Sequence, residues 1–113
     1  MLEINTLEEN TIYEIQVNGD IDANSSIHLD KAFLSALESR KNIVINFSNL
    51  NYMSSAGFGV IISHLNKIHE KNNKLVIYGL SEKVFKVFTI LGLDELIAIR
   101  SDKQKALNFL SEK

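Results

Sequence analysis

The chain has 113 residues, of which 45% are hydrophobic and 23% are charged, a balance typical of a soluble globular domain. Such a length buries a sizeable core without metal or disulfide staples, and the absence of cysteine excludes disulfides, thiol nucleophiles and cysteine-ligated zinc. A net charge of -2 gives no electrostatic reason to expect binding to nucleic acid or to a membrane. We expect one domain over residues 1–113. We also expect it in the cytoplasm, because the start MLEINTLEEN is acidic where a signal peptide is basic.

The first forty residues predict two strands and a helix. In TIYEIQVNG, apolar and polar residues alternate from Tyr13 onward, which is the pattern of a strand with one buried face. LEINTL is a weaker strand, and the short segment EEN predicts a hairpin between the two. From Ser25, which we expect to cap the helix, apolar residues recur at helical spacing: Ile27, Ala32, Phe33, Ala36 and Leu37.

The remaining chain alternates strands and helices. NIVINF and KLVIY are runs of branched apolar residues, which indicate parallel strands covered on both faces. Ser81 is expected to cap a helix that stops at Gly92, and a short strand LIAI and a helix SDKQKALNFLSEK follow. The apolar faces of the second and third helices are predicted at Phe58, Ile61, Ile62, Leu65 and Ile68, and at Val84, Phe88 and Leu91. This order predicts an α/β domain with a mixed sheet.

The segment MSSAGFG follows a predicted parallel strand, so it should lie outside the carboxyl ends of the strands, where such sheets bind ligands. Gly57 and Gly59 before a helix could approach a phosphate. However, a dinucleotide fingerprint needs a third glycine where Ile62 stands, and the chain has no Gly-Lys-Ser/Thr of a P-loop. The spacing therefore argues against a bound nucleotide, and we expect no cofactor.

A second hypothesis makes Ser55 the nucleophile of a serine hydrolase. That strand-to-helix elbow needs a glycine two residues before the serine, and Met53 occupies the position. No local signature marks a histidine as a base or as half of a metal pair, so no metal site is predicted. We expect surface or hydrogen-bonded core histidines at His28, His64 and His69, with His69 on the buried side of its helix.

A third hypothesis is that Ser54 or Ser55 caps the helix and can be modified. Capping alone leaves the two glycines unexplained, since each lowers helix stability by up to ~1 kcal/mol relative to alanine. Two glycines beside two serines indicate that another backbone or side chain comes close. Val60 is predicted to face away from the apolar stripe, which adds weak support for a contact surface.

Three blocks of the sequence resemble STAS domains, and specifically the small single-domain anti-sigma factor antagonists. These blocks are VNGDIDANSSIHLDKAF, IVINFSNLNYMSSAGFGVII and NKLVIYGLSEKVFKVFTILGLDELIAI. The resemblance implies the STAS fold, a mixed four- to five-stranded sheet with about four helices. It also implies a protein without catalysis of its own, which binds an anti-sigma factor with serine-kinase activity, frees the sigma factor and is inactivated by serine phosphorylation. A separate phosphatase would restore the active form.

The resemblance implies that Ser55 is the phosphorylated serine. The family usually has aspartate before that serine and near the end of the preceding strand, where this chain has Ser54 and Asn46. These departures motivate an alternative, a STAS module that is a non-phosphorylated structural partner of a transporter ATPase or a stress-signalling assembly. Asp22 matches a family aspartate near the same site, and Asp20 and Asn24 are expected in the same loop region. The predicted partner contacts are Asp20, Asp22, Asn24, Ser54, Gly57, Phe58 and Val60.

Overall fold

The computed structural model of the protein describes residues 2–112. Within this range five strands alternate with four α-helices, and a short 3-10 helix covers Leu93–Glu95. The strands are β1 Leu2–Glu9, β2 Ile12–Ile21, β3 Asn42–Met53, β4 Leu75–Tyr78 and β5 Ala98–Arg100. The helices are α1 Ser26–Ser39, α2 Ser55–Glu70, α3 Glu82–Ile90 and α4 Lys103–Ser111.

The strands form a single sheet in the order β1-β2-β3-β4-β5. β1 is antiparallel to β2, and each later neighbouring pair is parallel. The mixed α/β sheet predicted from the sequence is therefore confirmed, with five strands. A tight turn at Asn10 and Thr11 joins β1 to β2, and Asn10 adopts a positive φ of 42°, which asparagine tolerates better than most residues.

Side chains alternate between the two faces of the sheet, as the period of a β-strand requires. The first face holds the main core, in which the fully buried Ile15, Ile45 and Ile77 pack with side chains of α1, α2 and α3. The second face holds a smaller apolar cluster, which includes Val44 and Val76, and α4 packs against it. Both faces are covered, as the apolar runs in β3 and β4 predicted.

The start and the end of α3 agree with the sequence prediction. The Ser81 hydroxyl accepts a hydrogen bond from the N–H of Val84 at 3.3 Å, and Gly92 takes a left-handed conformation just beyond the helix. Leu91 was predicted to be buried, but it is exposed because it follows the last helical residue, Ile90, and points away from the core.

Two further helix faces differ from the prediction at their margins. In α1, Leu29 is buried and Ile27 is exposed, since successive residues are turned by about 100° and the buried stripe begins at Leu29. In α2, the buried stripe includes His64, whereas Ile62 and His69 are exposed. The prediction that His69 lies on the buried side is therefore wrong, because it sits one residue past the stripe.

β3 is longer than its apolar run predicts. The strand continues through the polar segment to Met53, and this half pairs with β2 up to the register Ile21 opposite Met53. The register shifts between Gln16 and Asn18 and again between Gly19 and Asp20, which marks irregular pairing there. The polar extension carries the chain directly to the serine segment at the start of α2.

Candidate partner-binding site

The candidate site lies where β2 and β3 end side by side. The N–H of Ser54 donates to the carbonyl of Ile21 at 2.8 Å, just past the last paired residues of the two strands. Asp22 and Ser54 therefore begin neighbouring connections, one leading into α1 and the other into α2. The serine segment lies at the carboxyl ends of parallel strands, as the sequence predicted.

The two serines of this segment have different surroundings. Ser54 is the N-cap residue of α2, and its Oγ is buried with no hydrogen-bond partner among residues 2–112. Ser55 is the first helical residue, and it is exposed. The prediction that a serine hydroxyl caps the helix is wrong for Ser54, because its carbonyl, not its hydroxyl, accepts the N–H of Gly57 at 3.0 Å. Only the Ser55 hydroxyl faces solvent.

The two glycines of the segment also differ. A Cβ at Gly57 would lie 2.4 Å from Cγ of Met53 and 3.1 Å from Cγ2 of Ile21, so this glycine lets α2 pack on the strand ends. A Cβ at Gly59 would meet nothing within 4 Å in the described chain, and Gly59 is exposed. The close approach predicted from the glycines occurs within the chain at Gly57. Packing within the described chain does not require a glycine at position 59.

An apolar groove of about 360 Å³ adjoins Ser55, between the start of α2 and α3. Three of its large apolar side chains, Tyr52, Ile62 and Leu91, are 48% to 54% exposed. Clustered exposed apolar groups mark interaction surfaces in soluble proteins. We call this surface the serine groove; its lining is Tyr52, Met53, Ser54, Ser55, Phe58, Gly59, Ile62, Val87 and Leu91.

Three residues predicted to contact a partner lie at least partly in the core. Phe58 is only 5% exposed and packs edge-on against Phe88, with ring centroids 5.2 Å apart, so it forms the floor of the groove. Gly57 is a buried residue in the first turn of α2. Val60 is half-buried against the main core, so the prediction that it faces away from the core is wrong.

Asp22 organises the connection between β2 and α1. Its Oδ1 accepts from the N–H of Ser25 at 2.8 Å and from the Ser25 hydroxyl at 2.9 Å, and the N–H of Asp22 donates back to that hydroxyl. These bonds, first that from the backbone N–H of Ser25, lower the pKa of Asp22 below 3.8. The predicted capping hydroxyl of Ser25 is thus corrected, since the Asp22 carboxylate accepts at the start of α1.

Asp20 and Asn24 flank this turn on either side. Asp20 is a half-buried residue of β2 that pairs with Tyr52 of β3, and Asn24 is exposed just before α1. Asp20 therefore lies on a strand and not in the loop. The fold brings the predicted acidic residues to the same end of the sheet as the two serines.

A family model described as the STAS domain matches residues 3–106. The chain belongs to the STAS family. An anti-sigma-B factor antagonist of Staphylococcus epidermidis is 28% identical to it over 99 residues, covering 87% of this chain and 92% of that protein. Two solved structures share the STAS fold. One is an anti-sigma factor antagonist from Mycobacterium paratuberculosis, with TM-score 0.90 and 15% identity, covering 99% and 96% of the two chains. The other is the Bacillus cell fate determinant SpoIIAA in the phosphorylated form, with TM-score 0.72 and 17% identity, covering 96% and 98%.

The two positions at which the resemblance implied an aspartate lie in different places. Ser54 is in the site, but Asn46 is seven residues before the end of β3, which is more than about 20 Å along a strand. Asn46 pairs with Tyr78 of β4, and its Oδ1 accepts from the N–H of Ser48 at 2.9 Å. Only the Ser54 departure can act directly on the serine groove.

The histidines of this STAS chain lie apart from the serine groove. His64 pairs with Asp30 of α1 at 2.7 Å and stacks on Phe33, so it is a hydrogen-bonded core histidine. His28 and His69 are exposed. Residues 2–112 contain no group of three or more histidine, aspartate or glutamate side chains placed to hold a metal ion. In the same range, no helix has both the length and the apolar character needed to cross a membrane.

Proposed function

We propose that this STAS protein is an anti-sigma factor antagonist. It binds an anti-sigma factor that is also a serine kinase, frees the sigma factor, and is inactivated when that kinase phosphorylates Ser55. The observation that carries this proposal is the exposed Ser55 hydroxyl beside an apolar groove, while the neighbouring Ser54 hydroxyl is buried. The similar proteins described above, which are anti-sigma factor antagonists, support the same function.

The serine groove supplies the binding energy in this proposal. Tyr52, Ile62 and Leu91 are about half exposed in the free chain, and covering them removes apolar surface from water. At about 25 cal/mol per Å², each such side chain contributes on the order of 1 kcal/mol. Gly59 leaves room on the outer side of α2, so a partner side chain can reach the helix backbone there. A kinase seated in this groove has direct access to Ser55.

Phosphorylation acts mainly on the complex. A phosphate on Ser55 adds about -1.5 to -2 charges at the amino end of α2, where the helix dipole favours negative charge, so the free fold tolerates it. In the complex the same group is bulky, is removed from water and lies at the end of the sheet that carries Asp20 and Asp22. The complex should therefore dissociate while the fold is retained.

Affinity capture from the source cells tests this function, followed by incubation of the captured complex with ATP and mass spectrometry. We expect a serine kinase among the captured proteins, a phosphate on Ser55, and release of the kinase. Ser55→Ala should capture the kinase and hold it in the presence of ATP. Ser63→Ala is the matched control, because Ser63 is an exposed serine on the same helix.

Two outcomes would contradict the proposal. A bound kinase that leaves Ser55 unlabelled, including one that labels Ser54 instead, would show that the proposed switch is wrong. Capture of a transporter ATPase or a stress-signalling assembly without a kinase would favour the alternative, a STAS module that acts as a non-phosphorylated structural partner. The replacement of the usual aspartate by Ser54 is the feature that keeps this alternative open.

A further inference from the structure

α4 fully buries fewer residues against the rest of the protein than the two longer helices, α1 and α2, do. α1 buries five side chains and α2 buries six residues, whereas the described part of α4 buries Ala106 alone. Leu107, Phe109 and Leu110 are only partly buried against the second face. Since burial of apolar area dominates the attachment of a helix, α4 gains less from full apolar burial than α1 or α2 does.

Charged groups hold both ends of α4. At its start, Lys103 Nζ lies 3.1 Å from Oε1 of Glu14, a β2 residue that is only 3% exposed. At its end, Lys74 Nζ donates to the carbonyls of Phe109 and Glu112. Lys74 and Arg100 also flank the Phe109 ring, at 5.2 and 4.9 Å from its centroid. Polar contacts therefore replace the apolar contact that α4 lacks.

The pair at the start of α4 is near an energetic balance. Glu14 is kept from water beneath the helix, and its other oxygen accepts from Gln16 Nε2 at 2.9 Å. Removing a carboxylate from water costs several kcal/mol, and its attraction to one cation offsets little more than that cost. When α4 moves away, Glu14 and Lys103 both regain water. The pair gives the helix its position but adds little net resistance to opening.

We infer that α4 is a detachable lid, which opens as a unit while the rest of the sheet and α1 to α3 stay folded. Opening uncovers the second face at Val44, Val76 and Tyr78. The lid lies on the face of the sheet opposite to the main core, so this inference is independent of the proposed role of Ser55. Local opening of one cooperative unit below the global free energy of unfolding is a known property of folded proteins.

Native-state hydrogen exchange of the full chain, read by mass spectrometry at increasing low urea concentrations, tests the lid. We expect amides of residues 105–111 to exchange together and at least ~10-fold faster than those of α2 and β3. Their urea dependence should be measurable but smaller than that of global unfolding, because opening exposes only the second face. Equal protection of α4 and α2, with the same urea dependence, would overturn the inference, because α4 would then open only with the whole domain.

Variants at the start of α4 sharpen the test. Lys103→Met leaves the Glu14 carboxylate buried without its cation, so exchange in α4 should rise roughly 10- to 100-fold while exchange in α2 stays nearly constant. Adding Glu14→Gln removes the stranded charge and should return α4 exchange toward the wild-type rate. Lys105→Met is the matched control, because Lys105 is exposed on the same helix and forms no ion pair within residues 2–112. A Lys103→Met variant that loosens α2 and α4 equally would show that α4 belongs to the main cooperative unit.

Discussion

The two faces of the sheet are covered in different ways. The first face buries large apolar side chains under α1, α2 and α3, and the serine groove is built on the edge of that core. The second face buries a small apolar cluster under α4, next to the Glu14 carboxylate. The position of Ser55 therefore depends on the rigid first face, whereas the second face is free to open. Substitutions on the two faces should separate these roles.

The largest expected difference is between two phenylalanines. Phe33 is fully buried between α1 and the sheet, so Phe33→Ala should lower the free energy of unfolding by about 3–5 kcal/mol. Phe109 is half-buried on α4, and Phe109→Ala should lower it by about 1 kcal/mol. Urea unfolding followed by circular dichroism measures both. Equal losses would show that the two faces form a single core of uniform strength.

The second face should also have its own pH dependence. Burial, with the negative charge of Glu14, raises the pKa of Tyr78 from 10.0 to about 12. The neutral phenol is favoured in the folded protein, so this contribution is fully present below pH 10 and is lost as the pH rises from 10 to 12. Between pH 9 and 11.5 the wild type should lose about 2 kcal/mol more stability than Tyr78→Phe. The two proteins differ only at residue 78, so an identical loss would contradict the raised pKa.

The two glycines of the serine segment should have different roles: Gly57 allows packing within the chain, and Gly59 allows a partner to approach. Gly57→Ala places a Cβ against Met53 and should cost about 1–3 kcal/mol of stability. Gly59→Ala meets no atom within 4 Å and should raise stability by about 0.5–1 kcal/mol, because alanine favours the helix. If the kinase occupies the serine groove, Gly59→Ala should also weaken its binding. Stability and binding measured on the same samples distinguish the two effects, and tight binding by Gly59→Ala would remove this residue from the interface.

Much of this architecture could be predicted because it depends on strong periodic patterns. The order of strands and helices follows from apolar alternation and helical spacing, and the stop of α3 at Gly92 follows from the left-handed conformation that glycine accepts there. The polar half of β3 could not be predicted, because its pairing with β2 depends on neighbouring strands and not on its own residue pattern.

The serine groove could be predicted only in part. The position of Ser55 at the strand ends followed from the order of elements, but Ile62 and Leu91 were assigned to the core. Helical spacing shows which residues share a face, yet it does not show where that face stops touching the sheet. Residue types likewise could not show that the Ser54 hydroxyl is buried without a hydrogen-bond partner in the described chain. Nor could they show that the Asp22 carboxylate accepts the hydrogen bond from the N–H of Ser25 at the start of α1.

The smallest expected effect concerns Asp22, whose turn joins the first face to the serine site. Its bonds to Ser25 lower its pKa below 3.8, so the charged form stabilises the fold above that value and the contribution is lost as the pH falls through the lower, folded pKa. Asp22→Asn keeps an acceptor and removes the charge, so the variant should be slightly less stable than the wild type at pH 6, and the difference should shrink as the pH falls through the folded pKa. Asp94→Asn, at an exposed site away from α1, is the control. Carboxyl NMR titration gives the pKa directly. A midpoint for Asp22 above 3.8 would show that its bonds to Ser25 do not favour the charged carboxylate, and that this turn adds no pH-dependent stability.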